Sequence, residues 1–292
     1  MTVEVTERNL KIEVPSTWEE MPIKTVHYCL QQAHKMLMQQ ITEAQFCVHC
    51  FYKIANIQRS AKSIFLEKIK GQNWLLEKQA NTYLLAKQAT TFMFKTDAKS
   101  QTKEFNYDTV VNFFKTFKLK GKFWAGPDDL LTDISFAEFR TALEELNLYL
   151  ENKEEKQLSR MLAVLYRPLK NKVKLVFSRE SIGTHAKKLD KLPTWQRMAM
   201  LLHFTYCIHH IKSEDLLIEG NEINFSVLFP KPKADEEAKK TGTGWTGVLF
   251  GIAEKGIFGD IKKTDEANLF DVLLLLYDNY LQAQEVKKAY QK

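Results

Sequence analysis

The chain has 292 residues, 45% of them hydrophobic and 27% charged, a balance typical of globular proteins with a buried core. Its four cysteines are too few for a disulfide-rich scaffold of this size, and its apolar runs are too short for a membrane-spanning helix. Its net charge is +6. The N-terminal residues lack the pattern of a secretory signal. We therefore expect a cytosolic protein with reduced thiols and no membrane partner.

The first region, residues 1–96, is predicted to be mainly helical. Polar and apolar residues alternate over residues 1–14, which favours a short strand or strand pair. Pro22 suits the first position of a helix. Thr42 and Gln45 have the spacing of a second helix start.

The central region, residues 104–229, follows a polar segment at 97–103 that we interpret as a loop. Ser135 and Glu138 form the pattern of a capping box at the start of a helix, in which each side chain bonds the other residue's backbone N–H. The alternation over Ile223 to Phe229 predicts a strand.

The last region, residues 241–292, follows a charged linker at 230–240. Five apolar residues recur there with helical spacing: Trp245, Val248, Leu249, Ile252 and Ala253. Gly256 stands where a left-handed residue ends such a helix, and a final helix is predicted from Thr264. The fold class is therefore mainly α, a multi-helix array with a few short β-strands as a minor component. The three regions are separate units or, alternatively, one compact domain.

A glycine motif in this last region invites a nucleotide-binding interpretation. Gly242, Gly244 and Gly247 have the G-x-G-x-x-G spacing of dinucleotide-binding loops. Such loops follow a strand directly, whereas here prolines and a charged run separate the glycines from the nearest predicted strand. We favour a short helix anchored by Trp245 on an apolar surface.

Other combinations of reactive side chains give only weak evidence for a metal or catalytic site. Cys47 and Cys50, and Cys207 with His210, have spacings compatible with zinc, but they lie within amphipathic helical patterns. The aspartates at 128, 129 and 133 flank a turn, where this residue type is common. We predict no metal, no cofactor and no enzymatic activity.

The segment from Phe113 to Trp124 combines aromatic residues with lysines, which are the side chains that bind nucleic acid by stacking and phosphate contacts. The candidates for such a site are Lys115, Lys118, Lys120, Lys122 and Phe123. The alternative, which we favour here, is a buried amphipathic segment with solvated lysines. The excess of 35 lysines over 7 arginines also predicts only weak nucleic-acid binding.

Large aromatic side chains are the candidates for a protein interface, because tryptophan is enriched among residues that dominate binding energy. We predict exposed anchors at Trp18, Trp124, Trp245, Phe250 and Phe258. Packing in the core is the alternative for each tryptophan.

Three segments resemble proteins encoded among the structural and tail-assembly genes of tailed bacteriophages and prophages. They are Val14-Pro-Ser-Thr-Trp-Glu-Glu-Met-Pro-Ile, Ala163-Val-Leu-Tyr-Arg-Pro168 and Gly244-Trp-Thr-Gly-Val-Leu-Phe-Gly-Ile-Ala. The resemblance implies a tail-assembly chaperone or minor structural component that binds other phage proteins. It also implies a location in the host cytoplasm during assembly, and in the virion if the protein stays in the particle. It carries over no catalytic residue and leaves homo-oligomerisation open.

Overall fold

A computed structural model describes residues 2–5, 10–58, 69, 72–97, 100–229 and 244–290. Helices predominate there, and strands form small sheets of two or four members, as the predicted mainly α class requires. The chain divides into two units, Met1–Thr109 and Val110–Lys292. The predicted regions 104–229 and 241–292 thus fall almost entirely within the second unit.

The described residues of the first unit form three α-helices and two strand pairs. In chain order these are β1 (Thr2–Val5), β2 (Leu10–Glu13), α1 (Ile23–Leu37), α2 (Glu43–Ile54), α3 (Gln72–Ala89), β3 (Phe94–Thr96) and β4 (Lys103–Phe105). The predicted N-terminal strand pair is confirmed, since β1 and β2 are antiparallel partners.

Local sequence signals explain how these helices begin. Thr42 and Gln45 form the complete capping box at α2, with the Gln45 backbone N–H donating to Thr42 Oγ1 over 3.2 Å. Pro22 is the residue before α1, one position earlier than predicted. The described residues of the predicted loop at 97–103 lie between the paired strands β3 and β4, except Lys103, which is the first residue of β4.

The core of the first unit is built around Trp18, which is only 1% exposed. Its ring makes edge-on contacts with three aromatic side chains, and the shortest centroid distance is 5.1 Å, to Tyr107. The indole Nε1 donates to the Asn106 carbonyl over 3.1 Å. Burial of so large a ring with its one polar atom bonded makes Trp18 a structural anchor.

The second unit combines seven helices with a four-stranded sheet and a hairpin among its described residues. Its elements are β5 (Thr116–Leu119), β6 (Lys122–Ala125), α4 (Phe136–Asn152), α5 (Glu155–Leu165), β7 (Arg167–Lys170), β8 (Val173–Lys174), α6 (Ile182–Leu189), α7 (Thr194–Ser213), β9 (Asp215–Ile218), β10 (Asn221–Asn224), α8 (Gly244–Glu254), α9 (Ile261–Glu266) and α10 (Leu269–Tyr290).

The sheet has the strand order β5-β6-β7-β8, and all neighbours are antiparallel. A two-residue turn, Lys120-Gly121, joins β5 to β6, with φ values of 48° and 78°. Positive φ at both central residues is typical of the hairpin turn whose twist matches that of the flanking strands. Glycine adopts a positive φ without strain. On one face of the sheet Phe117 and Trp124 stack with ring centroids 6.5 Å apart.

A buried ion pair connects this sheet to the helices. Arg167 on β7 bonds Glu138 on α4, and both side chains are less than a tenth exposed. Glu138 also accepts from the Ser135 backbone N–H over 2.9 Å, while the Glu138 N–H donates to Ser135 Oγ over 3.2 Å. The predicted capping box at Ser135 is therefore confirmed, and its glutamate has a second partner in the sheet.

The C-terminal segment packs on the same helix α4. The Phe136 backbone N–H donates to the Ala267 carbonyl over 2.9 Å, and the Leu269 N–H donates to the Ile134 carbonyl over 3.0 Å. Arg140 on α4 bonds Asp265 on α9. These contacts make α8–α10 part of the second unit.

Two predicted elements of this unit differ from the structure. The predicted strand from Ile223 to Phe229 ends at Asn224, whose side chain accepts from the Ser226 N–H and begins a 3₁₀ turn. That turn buries Phe225. The final helix predicted from Thr264 is divided into α9 and α10 at Ala267, where the chain becomes extended.

The capping box and the ion pair share the Glu138 carboxylate, whereas Ser135 belongs to the capping box alone. Substitutions at the two positions therefore separate the contributions of cap and ion pair to the free energy of unfolding. Glu138→Ala removes the cap and leaves the Arg167 guanidinium buried without a counter-charge, so we expect a loss of about 3–5 kcal/mol. Ser135→Ala removes the cap alone and should cost about 1 kcal/mol. Urea unfolding measures both values.

The matched control is Glu144→Ala, an exposed glutamate on the same helix, which should change stability by less than about 0.5 kcal/mol. A Glu138→Ala cost no larger than that of Ser135→Ala would contradict the role given to the buried pair.

Candidate functional site

Two of the predicted interface anchors are wrong. Trp18 and Trp124 are each about 1% exposed, so neither presents a ring to a partner. Trp124 points to the inner face of the sheet, where its ring lies edge-on to His185 with centroids 5.5 Å apart. The physical reason is that a large apolar ring gains more from complete burial within its own unit than from exposure.

Trp245 is half-buried and attaches α8 to the rest of its unit. Its ring lies 5.4 Å from Phe139 and 5.9 Å from Phe136 on α4, both edge-on, and 5.7 Å from Phe229. The predicted α8 face is confirmed, because Leu249 and Ile252 on the same side are buried. Trp245 therefore contributes chiefly to internal packing.

The opposite side of α8 is an exposed apolar surface. Phe250 is 50% exposed, and further along the chain Ile257 and Ile261 are 52% and 49% exposed. Phe258 is half-buried. An open groove of about 680 Å³ lies between α8 and α9, and we call it the α8–α9 groove; its lining residues are Phe250, Ala253, Glu254, Asp260, Ile261 and Lys262.

Two glycines shape this groove by turning the chain between α8 and α9. Gly256 has φ of +67°, which confirms the left-handed helix end predicted for it, and Gly259 has φ of +103°. Asp260 then begins α9 by accepting from the Lys263 N–H over 2.8 Å. Ile261 was not among the predicted interface residues, because a single isoleucine at a helix start carries no sequence signal for exposure.

Two of the three glycines of the G-x-G-x-x-G motif belong to α8. Gly244 is the first residue of α8, with φ of +51°, and Gly247 lies within the helix. Gly242 lies outside the described residues. Gly244 therefore stands at the start of the helix in a left-handed conformation, and Gly247 lies inside it.

Of the residues predicted for nucleic-acid binding, one is paired with a carboxylate and the others are exposed. Lys115 is neutralised by Asp129, with 2.7 Å between Nζ and Oδ2. Lys118, Lys120 and Lys122 are exposed, and Phe123 is 59% exposed on the strand pair β5–β6. The favoured interpretation of a buried amphipathic segment holds for Trp124 but not for Phe123, because neighbouring residues of a strand point to opposite faces.

The aspartates near the turn serve as structural acceptors. Asp129 accepts from the Asn112 N–H over 2.8 Å, and Asp133 accepts from the Asp128 N–H over 2.6 Å. Lys174 pairs with Asp133 over 2.7 Å. Their charges are thus used within the second unit.

The cysteines and histidines considered for zinc are distributed among helices. Cys47, Cys50 and Cys207 are fully buried free thiols. Within the described ranges, no three His, Cys, Asp or Glu side chains are grouped so as to hold a metal ion. In the same ranges, no helix combines the length and apolar character needed to cross a membrane.

Cys207 and His203 form a buried pair on α7. Cys207 Sγ lies 3.4 Å from His203 Nε2, which donates to the Val110 carbonyl over 3.0 Å. Burial disfavours charge on both groups. It lowers the pKa of His203 below its usual value and raises the pKa of Cys207 to about 12.

Comparison of the chain with protein-family models, curated proteins and solved structures finds no match. The exposed side chains described above form two candidate binding surfaces. One is the α8–α9 groove, and the other is the exposed lysine–phenylalanine surface of β5–β6.

The buried pair on α7 predicts that stability falls on both sides of neutral pH. Below about pH 6.5 the unfolded chain takes up a proton at His203 that the folded chain resists. Above about pH 8.5 the unfolded chain loses the Cys207 proton, which the folded chain retains. Each group contributes a slope of up to about 1.4 kcal/mol per pH unit, measurable by urea unfolding across this range.

Cys207→Ala should reduce the alkaline slope and leave the acid slope unchanged, whereas His203→Gln should do the reverse. Identical slopes in the wild type and both variants would show that other groups control the pH dependence.

Proposed function

We propose that this chain is a non-enzymatic assembly protein of a tailed bacteriophage, a tail-assembly chaperone or minor structural component. It acts in the host cytoplasm by binding other tail or virion proteins through the α8–α9 groove. The sequence support is the resemblance of three segments, one of which covers α8 except for its last residue. The structural observation that carries the proposal is the exposure of Phe250 and Ile261 on this groove.

The apolar character of the groove suits a protein partner. Half-exposed phenylalanine and isoleucine side chains are unfavourable in water, and covering them yields about 25 cal/mol per Å². Charged side chains border them, since Glu254, Asp260 and Lys262 also line the groove. An apolar centre with a charged rim is the usual anatomy of a protein interface.

The side chains that attach α8 to its own unit are different from those that line the groove. Trp245, Leu249 and Ile252 already attach the helix to its own unit. Phe250 is therefore not required for that attachment, and its substitution tests binding separately from folding.

The experiment is co-purification of the tagged full-length chain from phage-infected host cells, followed by mass spectrometry and measurement of the complex mass. We expect stoichiometric recovery of an identified tail or capsid protein. Phe250→Asp and Ile261→Asp should each lower recovery at least about 10-fold, because truncating or charging an interface anchor costs more than about 1 kcal/mol. Their melting temperatures should stay close to that of the wild type.

The matched control is Val176→Asp, since Val176 is an apolar residue of the same unit that is 87% exposed. This variant should retain the partner. Recovery of a lone monomer from infected cells, or equal loss in Val176→Asp, would contradict the proposal.

A further inference from the structure

The β5–β6 turn lies at the end of the sheet where positive charge is concentrated. Because β6 is antiparallel to β5 and to β7, the turns β5–β6 and β7–β8 lie at the same end. Six exposed lysines are found on these two hairpins and on the segment after α6: Lys118, Lys120, Lys122, Lys170, Lys172 and Lys191.

Within the described part of the chain, these lysines differ from Lys115 and Lys174 in their electrostatic partners. Lys115 pairs with Asp129 and Lys174 with Asp133. Among the residues that the structure describes, none of the six forms an ion pair with a carboxylate.

Two of the six lie near enough for their charges to act on each other. Lys191 lowers the pKa of Lys120, because the positive charges of the two side chains repel. The positive charge of Lys188 acts in the same direction. Two adjacent ammonium groups form a site where one anion would relieve the repulsion and accept from both.

An exposed aromatic ring lies beside one of these lysines, Lys118. Phe123 on β6 is the direct partner of Lys118 on β5, so both side chains project from the same face of the hairpin. The Lys118 ammonium lies 6.0 Å from the centre of the Phe123 ring. The 59% exposure of Phe123 leaves one side of the ring open to a planar partner.

We propose that this surface binds single-stranded nucleic acid, with Lys120 and Lys191 on a backbone phosphate and Phe123 stacked on an unpaired base. A ring flanked by lysines is the arrangement of sequence-tolerant single-strand sites. A duplex offers phosphates but no free base face, and an acidic peptide offers carboxylates but no planar base. This inference is independent of the assembly function and uses a different surface.

The test is fluorescence anisotropy with the full-length chain and a labelled oligothymidylate of about 15 nucleotides, a length near the upper site size of such surfaces. We expect binding that weakens with salt, with a log–log slope of about −2 to −3 for three to four phosphate contacts. Lys120→Ala and Lys191→Ala should each make the slope shallower by about 0.7.

Phe123 separates stacking from simple charge attraction. Phe123→Leu keeps an apolar side chain without an aromatic face, and it should weaken binding about 5- to 100-fold with the slope unchanged. Phe123→Trp should restore binding. A duplex of the same length should bind more weakly than the single strand and should not respond to Phe123→Leu.

Lys24→Ala is the matched control, because Lys24 is an exposed lysine on α1 in the other unit. All substituted side chains are exposed, so circular dichroism should be unchanged. Four results would overturn the proposal: no binding at low salt, equal effects of Lys24→Ala and Lys120→Ala, full affinity in Phe123→Leu, or displacement of the oligonucleotide by polyglutamate as efficiently as by unlabelled oligothymidylate.

Discussion

The buried contact between Glu138 and Arg167 is the interaction on which most of the second unit depends. One oxygen of Glu138 holds the first turn of α4, and the other holds the guanidinium of Arg167 on β7. Arg167 in turn donates to the Leu175 carbonyl over 2.7 Å and to the Val164 carbonyl at the end of α5. A buried charge pair is tolerated only when its hydrogen bonds are made in this way. The pair therefore fixes the sheet against the α4–α5 hairpin, and both candidate surfaces belong to elements that this arrangement positions.

The sequence predicted the features that depend on neighbouring residues. The capping boxes at Thr42 and Ser135 and the left-handed end at Gly256 were all identifiable, because each needs only a few residues with defined backbone roles. The second partner of Glu138 was not identifiable, since Arg167 is 29 residues away and pairs with it only after the sheet forms.

Exposure of aromatic residues was the least predictable property. Trp18, Trp124 and Trp245 belong to the same residue type that dominates both cores and interfaces, so composition does not separate these roles. The contrast between Phe123 and Trp124 shows the difficulty directly, because adjacent aromatic residues lie on opposite faces of one strand. The structure shows which of the two is buried, because Trp124 packs on Phe117 and His185 while Phe123 is paired with Lys118 on the other face.

The position of β5 at the outer edge of its sheet gives its lysines a second consequence. An edge strand has unpaired backbone groups and can add a strand from another copy of the chain, which leads to aggregation. Lysines on such a strand oppose this addition, because two copies would bring like charges together. Lys118 places a positive charge on this edge and so opposes such pairing. Replacing it together with the lysines of the adjoining turn would remove this protection, so we expect such a variant to aggregate more readily than the wild type.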